Sequence, residues 1–163
     1  TQESLAAIQL LKEMIPDLKT RFIAVSELTC FGIGDQCNVC KITTGEFEEM
    51  FTPDKDIIYS YHGYPEDIKS LVFNHDAATR FKVHGYIEKG TTTTPFDMQV
   101  QNRASRYQLM IEAIESASKT NPLVKAKRMS YENQIHSILA KHQEHIQRSG
   151  EDIVEVTDFK FKF

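Results

Sequence analysis

Cys37-Asn38-Val39-Cys40 is the pair whose spacing most directly suggests chemistry, with Cys30 upstream as a third sulfur. Two thiolates separated by two residues can hold a metal ion or cycle through a disulfide. A metal site needs a second pair of Cys or His ligands at a suitable distance, and the nearest histidine is His62. A redox pair belongs at a helix N-terminus after a strand. Here Gly32, Gly34, Asp35, Asn38 and Gly45 make the stretch Cys30 to Thr44 a loop. The sulfurs are therefore read as reduced loop or core thiols. A free-standing redox or metal protein using Cys30, Cys37 and Cys40 is an alternative reading.

The six histidines are His62, His75, His84, His136, His142 and His145. A catalytic histidine needs an orienting carboxylate and a partner. His62 follows the run Ile57 to Tyr61 and precedes Gly63-Tyr64-Pro65. That places it at the carboxyl end of a strand, where ligands of α/β sheets bind. His136, His142 and His145 share one helix and are read as solvated. Thr91, Thr92, Thr93 and Thr94 precede Pro95-Phe96-Asp97. Hydroxyls and free N–H groups ahead of a helix can hold an anion. The same residues also fit a cap: Thr94 at N-cap, Pro95 at N1, and Asp97 at N3 reaching back. His62 and Thr91 to Thr94 are the candidate anion or regulatory residues. No catalytic or metal-binding residue is assigned.

The chain has 163 residues, 40% hydrophobic and 26% charged, with a net charge of -4. This length suits a single domain, residues 1–163, with its own core. The negative balance argues against a nucleic-acid partner. No apolar run approaches the ~18 residues of a membrane helix. The opening TQESLAAIQLL lacks the basic and apolar regions of a secretory signal, and three cysteines without framework spacing suit a reducing compartment. A cytoplasmic location is expected. No G-x-G-x-x-G, GxxxxGK[ST], H-E-x-x-H or G-x-S-x-G occurs.

The elements that must position these residues follow from periodicity. Leu5, Ile8, Leu11 and Ile15 mark a helix from Gln2, stopped at Pro16. Arg21 to Val25, Asp56 to Tyr61 and Phe81 to Ile87 read as strands. Glu46 to Phe51 and Glu66 to Val72 read as short helices. Val100, Ala104, Tyr107, Ile111, Ile114 and Ser118 predict one long helix. Asn121-Pro122 begins another, with Tyr131, Ile135, Ile138, Leu139, His142 and Ile146 on one stripe and Gly150 at its end. The tail from Asp152 to Phe163 is expected to hold a short edge strand and to pack on something. Helices alternating with strands indicate an α/β fold with helices on both faces of a small, mostly parallel mixed sheet. An α/β unit ordinarily opens on a strand, so a first strand before Thr1 is expected.

Tyr61-His62-Gly63-Tyr64-Pro65, His84-Gly85-Tyr86, and Glu88 to Met98 followed by Val100, Asn102 and Arg106 together resemble the C-terminal domain of xylulose 5-phosphate/fructose 6-phosphate phosphoketolases. The resemblance covers nearly the whole chain. It includes the opening TQESLAAIQLLKEMIPDLKTRFIAVSEL and Phe51-Thr52 with Asp54-Lys55. It also includes Gly150-Glu151-Asp152 and a tail Asp158-Phe159-Lys160 where the family usually has Asp-Trp-Lys. The loop Cys30 to Thr44 falls in a variable part of the family. The resemblance implies a three-layer α/β/α domain like the transketolase C-terminal domain. It implies a parent enzyme, a carbon–carbon lyase using thiamine diphosphate and magnesium, that cleaves a ketose phosphate with inorganic phosphate. The products would be acetyl phosphate and an aldose phosphate. The cofactor and substrate residues of the family precede this segment. The chain is therefore expected to bind no cofactor itself, to be inactive alone, and to pack on other domains of a homodimeric enzyme. The alternative is a regulatory module for a nucleotide or another anionic metabolite.

Overall fold

In the computed structural model, which describes residues 1–31 and 42–162, strand β1 (Ile57–Ser60) pairs in parallel with strand β2 (Phe81–His84). The register sets Ile57 beside Phe81 and Ser60 beside His84. Helix α3 (Pro65–Val72) makes the crossover that a parallel pair requires. Pro65 at its first position is pre-set for a helix, and Ile68 and Val72 are buried along its inner face. Before the sheet lie a 3-10 turn at Leu28–Phe31 and helix α2 (Thr44–Phe51). Thr43 and Glu46 close a capping box at the start of α2. Its end has no glycine. Two arginines distant in sequence take its last carbonyls instead. Arg21 donates to the carbonyls of Glu49 and Met50, and Arg80 to those of Phe51 and Thr52.

These elements belong to one compact unit, Arg21–Ile87. Phe31, Phe47, Phe51, Ile57, Tyr59, Ile68, Val72 and Ala77 form its core, with Phe81 and Val83 packed against it. Phe47 and Phe51 stack with ring centroids 4.7 Å apart, and Phe81 meets Phe31 edge-on at 5.7 Å. Arg21 to Val25, expected as a strand, forms none. Ile23 and Val25 pack on the core without joining the ladder, so apolar β-branched character here reflects docking rather than pairing.

The second unit comprises Thr1–Thr20 and Glu88–Phe163. Helix α1 (Gln2–Met14) packs on α5 (Arg106–Ser118), and α5 packs on the 28-residue α6 (Pro122–Ser149). Asn121 caps α6 by accepting from the N–H groups of Leu123 and Val124, and Gly150 ends it at φ 70°. The single long helix expected from Val100 to Ser118 is two helices, α4 (Pro95–Gln101) and α5. Arg103 sits at φ 58°, its N–H bonds the carbonyl of Val100, and that of Ala104 bonds the carbonyl of Gln99. This is a Schellman closure with arginine in the left-handed position where glycine is usual. The tail forms a one-turn helix, α7 (Val154–Thr157), not the expected strand; beyond it the chain lacks regular structure to residue 162.

The α/β class read from the sequence is the one observed, and its parallel β–α–β core agrees with a transketolase C-terminal arrangement. Among the described residues the sheet has two strands.

Candidate functional site

In the first unit, the chain stays paired beyond the strand ends. Tyr61 N–H donates to the His84 carbonyl, and Tyr86 N–H donates to that of Gly63, both at 2.8 Å. The approach requires glycine at 85. A Cβ there would lie 2.4 Å from the Gly63 oxygen and 2.5 Å from Pro65 Cδ. His62 projects from this corner, exposed, with its ring 6.1 Å from that of Tyr86. It thus stands at the carboxyl end of a parallel strand. Beneath it, burial pushes the Tyr59 hydroxyl up to about 12, with Cys30 and Tyr61 adding to the effect. Burial, then the nearby Glu27 carboxylate, raises the Cys30 thiol as well, which suits an inert packing thiol rather than a nucleophile. Cys37 and Cys40 lie outside the described residues.

In the second unit, Thr93 and Thr94 meet a set of buried polar groups. Thr94 Oγ1 accepts from Asp97 N–H at 3.1 Å, the N-cap bond of α4, and donates to Asp152 Oδ1 at 2.5 Å. Asp97 does not act as a capping-box acid. Its Oδ2 accepts from Thr93 Oγ1 at 2.8 Å and from Gln101 Nε2 at 2.7 Å. Its Oδ1 faces His142 Nε2 at 3.4 Å, and Asp152 Oδ1 lies 3.9 Å from the same nitrogen. Asp97 is 3% exposed and His142 fully buried. Neither ring nitrogen makes a well-formed hydrogen bond. The ring meets Phe96 edge-on at 5.1 Å. The solvated reading of His142 is therefore wrong, while His136 and His145 are exposed. The cluster joins the first turn of α4, the C-terminal third of α6 and the root of the tail. Thr91 and Thr92 are exposed, and Thr91 Oγ1 bonds Gln101 Oε1 at 3.2 Å.

A second buried charge lies at the start of α5. Glu3 accepts from the Arg106 backbone N–H at 2.8 Å, from Nε at 2.9 Å and from Nη2 at 2.6 Å. A carboxylate thus sits on a helix N-terminus and in a guanidinium fork at once. Phe159 of the tail lies over the guanidinium, 4.4 Å from its carbon, and Phe96 lies at 5.4 Å.

Sequence reasoning missed Asp152, Glu3, the burial of His142 and the interior role of Asp97. One signal for His142 was present: it shares the stripe of Ile135, Ile138, Leu139 and Ile146, whose other members face inward. Nothing local signals Glu3, which meets Arg106 across most of the chain.

Thiamine diphosphate needs a divalent ion held by oxygen ligands. Among the described residues no group of three His, Cys, Asp or Glu is placed to hold one. Asp97 Oδ2 and the half-buried Glu3 carboxylate are already engaged by Thr93, Gln101 and Arg106.

A family model described as the XFP C-terminal domain matches residues 1–161. The chain is 38% identical over 159 residues to a "Probable phosphoketolase" of Bradyrhizobium diazoefficiens, covering 98% of the chain and 19% of that protein. It is 38% identical over 161 residues to one of Brucella abortus, covering 99% and 20%. With one of Pseudomonas putida the identity is 34% over 161 residues, at the same coverage of 99% and 20%. The chain spans about a fifth of the length of the curated relatives it matches.

Proposed function

Because the chain belongs to the XFP C-terminal domain family, we propose that it supports the catalytic parts of a phosphoketolase structurally and takes no direct part in the reaction. The parent enzyme would cleave xylulose 5-phosphate or fructose 6-phosphate with inorganic phosphate, forming acetyl phosphate and an aldose phosphate. Thiamine diphosphate and magnesium would be held outside this chain. In this reading the partners are the other domains of a cytoplasmic, homodimeric enzyme. No helix among the described residues is long and apolar enough to cross a membrane.

The observation that carries this reading is where the chemistry-bearing side chains are used. Thr93, Thr94, Asp97 and Asp152 bond one another, and Glu3 takes the backbone N–H, Nε and Nη2 of Arg106. These groups brace helices. Isothermal titration of the chain with thiamine diphosphate and magnesium tests it, beside an assay for acetyl phosphate from xylulose 5-phosphate. The expected outcome is neither binding nor turnover. Stoichiometric binding would overturn the reading.

The exposed position of His62 at the carboxyl end of β1 favours a second reading, a regulatory site for a nucleotide or another anionic metabolite. Thr93 and Thr94 serve it poorly, because two carboxylates already face their hydroxyls. A thermal-shift series with ATP, phosphoenolpyruvate and phosphate separates the readings. A His62-dependent shift at millimolar ligand would favour regulation.

A further inference from the structure

The tail reads Phe159-Lys160-Phe161-Lys162, apolar and basic residues in strict alternation. In an extended segment that pattern sends both rings to one side and both lysines to the other. Phe159 and Phe161 are half-buried and meet edge-on with centroids 5.1 Å apart, while Lys160 and Lys162 are exposed. The segment is an edge strand in its pattern, yet among the described residues no strand pairs with it.

Its partner is a side chain. Gln9 of α1 donates from Nε2 to the Lys160 carbonyl at 3.2 Å, and its Oε1 accepts from the Lys162 N–H at 2.9 Å. The carboxamide thus brackets Phe161 as one rung of a β-ladder would, and it reads main chain rather than sequence. One turn along α1, Glu13 takes the Lys162 ammonium at 2.7 Å. At the other end, the Arg106 guanidinium carries the Phe159 ring. The receiving face therefore offers a backbone-reading amide, a carboxylate for a basic residue and a cation for an aromatic ring.

The tail is held unevenly. Its root is fixed, with Ile153 2% exposed and Asp152 bonded to Thr94. Its tip is half-exposed, with contacts that include the two Gln9 hydrogen bonds, the Phe159 ring over Arg106 and the surface ion pair of Lys162 with Glu13. Such segments open locally at little cost. None of the tip contacts depends on the segment belonging to the same chain.

We propose that the α1–α5 face around Gln9, Glu13 and Arg106 is a docking groove for an extended aromatic–x–aromatic–basic peptide. Its own tail occupies it in cis, and the tail of a second copy is its partner in trans. A short tether gives the cis tail a millimolar effective concentration, so the trans segment enters only where the cis tip has lifted.

The test uses a fluorescent peptide of residues 157–162 and two receptors. One is the chain ended at Thr157. The other is the full chain carrying Phe159→Ala and Phe161→Ala, which keeps the test alive if the shortened chain does not fold. Circular dichroism identifies the folded receptor. Anisotropy is expected to show binding with a Kd of ~0.1–1 mM, an ordinary strength for a short peptide. The unmodified chain should bind at least tenfold more weakly. Gln9→Ala in the receptor should weaken binding about fivefold, and so should alanine at both peptide phenylalanines. Equal affinity for modified and unmodified chains, indifference to Gln9, or no binding by the folded receptor would each overturn the groove.

Discussion

Residues 21–87 pack Phe31, Phe47, Phe51, Tyr59 and Phe81 against one another, whereas the helices of the other unit enclose Arg106, Glu3, Asp97 and His142 beside their aliphatic side chains. Both cores exclude water, and they are vulnerable in different ways. An aromatic core loses contact area and gains a cavity when a ring is cut away. A polar interior loses more than the contact, because the remaining partner stays buried without its counter-charge. The first kind of damage is repaired only by volume. The second is repaired by removing the partner too.

Phe47 should show the largest single effect. It is 1% exposed and lies against Phe51, Phe81 and His75. Phe47→Ala is expected to cost about 4 kcal/mol in urea unfolding. A loss below about 1.5 kcal/mol would show that the unit collapses around the gap and is not held by ring packing.

Arg106→Ala follows at about 3 kcal/mol, since Glu3 would be left on the α5 N-terminus with only the backbone N–H to answer it. The paired change Glu3→Met with Arg106→Met sharpens the comparison. It should recover more than half of that loss, because no charge is then stranded. A double-mutant cycle in which the two losses simply add would mean that the pair acts by volume, as in the aromatic unit.

Thr94→Ala comes next, at about 1–2 kcal/mol, the usual worth of an N-cap. Its counterpart is Thr43→Ala in the aromatic unit, where the cap faces solvent and closes on Glu46 alone. Thr94 also ties α4 to Asp152, so its loss should be the larger of the two. Equal losses would leave the buried cluster as a local cap with no bracing role.

The same contrast separates what was legible in the sequence from what was not. Periodicity and punctuation placed α1, α3 and α6 well, because Pro65, Asn121-Pro122 and Gly150 act on their own neighbours. The parallel strands were legible for the same reason. The break between α4 and α5 was hidden, since Arg103 holds a left-handed conformation that sequence assigns to glycine. Arg21 and Arg80 finish α2 from far along the chain, so no local signal marks them. The strand expected at Arg21 to Val25 was misread because Ile23 and Val25 satisfy packing without pairing. The four threonines were half legible. Thr94 as N-cap followed from Pro95 and Asp97, but the bond to Asp152 and the facing His142 depend on the return of the tail.

The smallest effect lies at the surface, where the tail tip meets α1. The hydrogen bond from Lys162 is the main cause holding the Glu13 carboxyl below its usual range, and the Lys141 bond does the same for Glu155. A carboxylate lowered in the fold stabilises it above the unfolded pKa near 4.5, and the contribution disappears as pH falls through the folded value. The Glu13 side chain is 46% exposed, so solvent screening leaves at most about a few tenths of a kcal/mol. Glu13→Gln should therefore be slightly less stable than the parent chain at pH 7, and the gap should close once the pH has fallen below the lowered folded value. High salt should narrow the gap at neutral pH. The Arg106 pair is buried, and its contribution should respond far less to salt. A gap at Glu13 that survives both acid and salt would place the tail tip with the interior charges rather than with the surface.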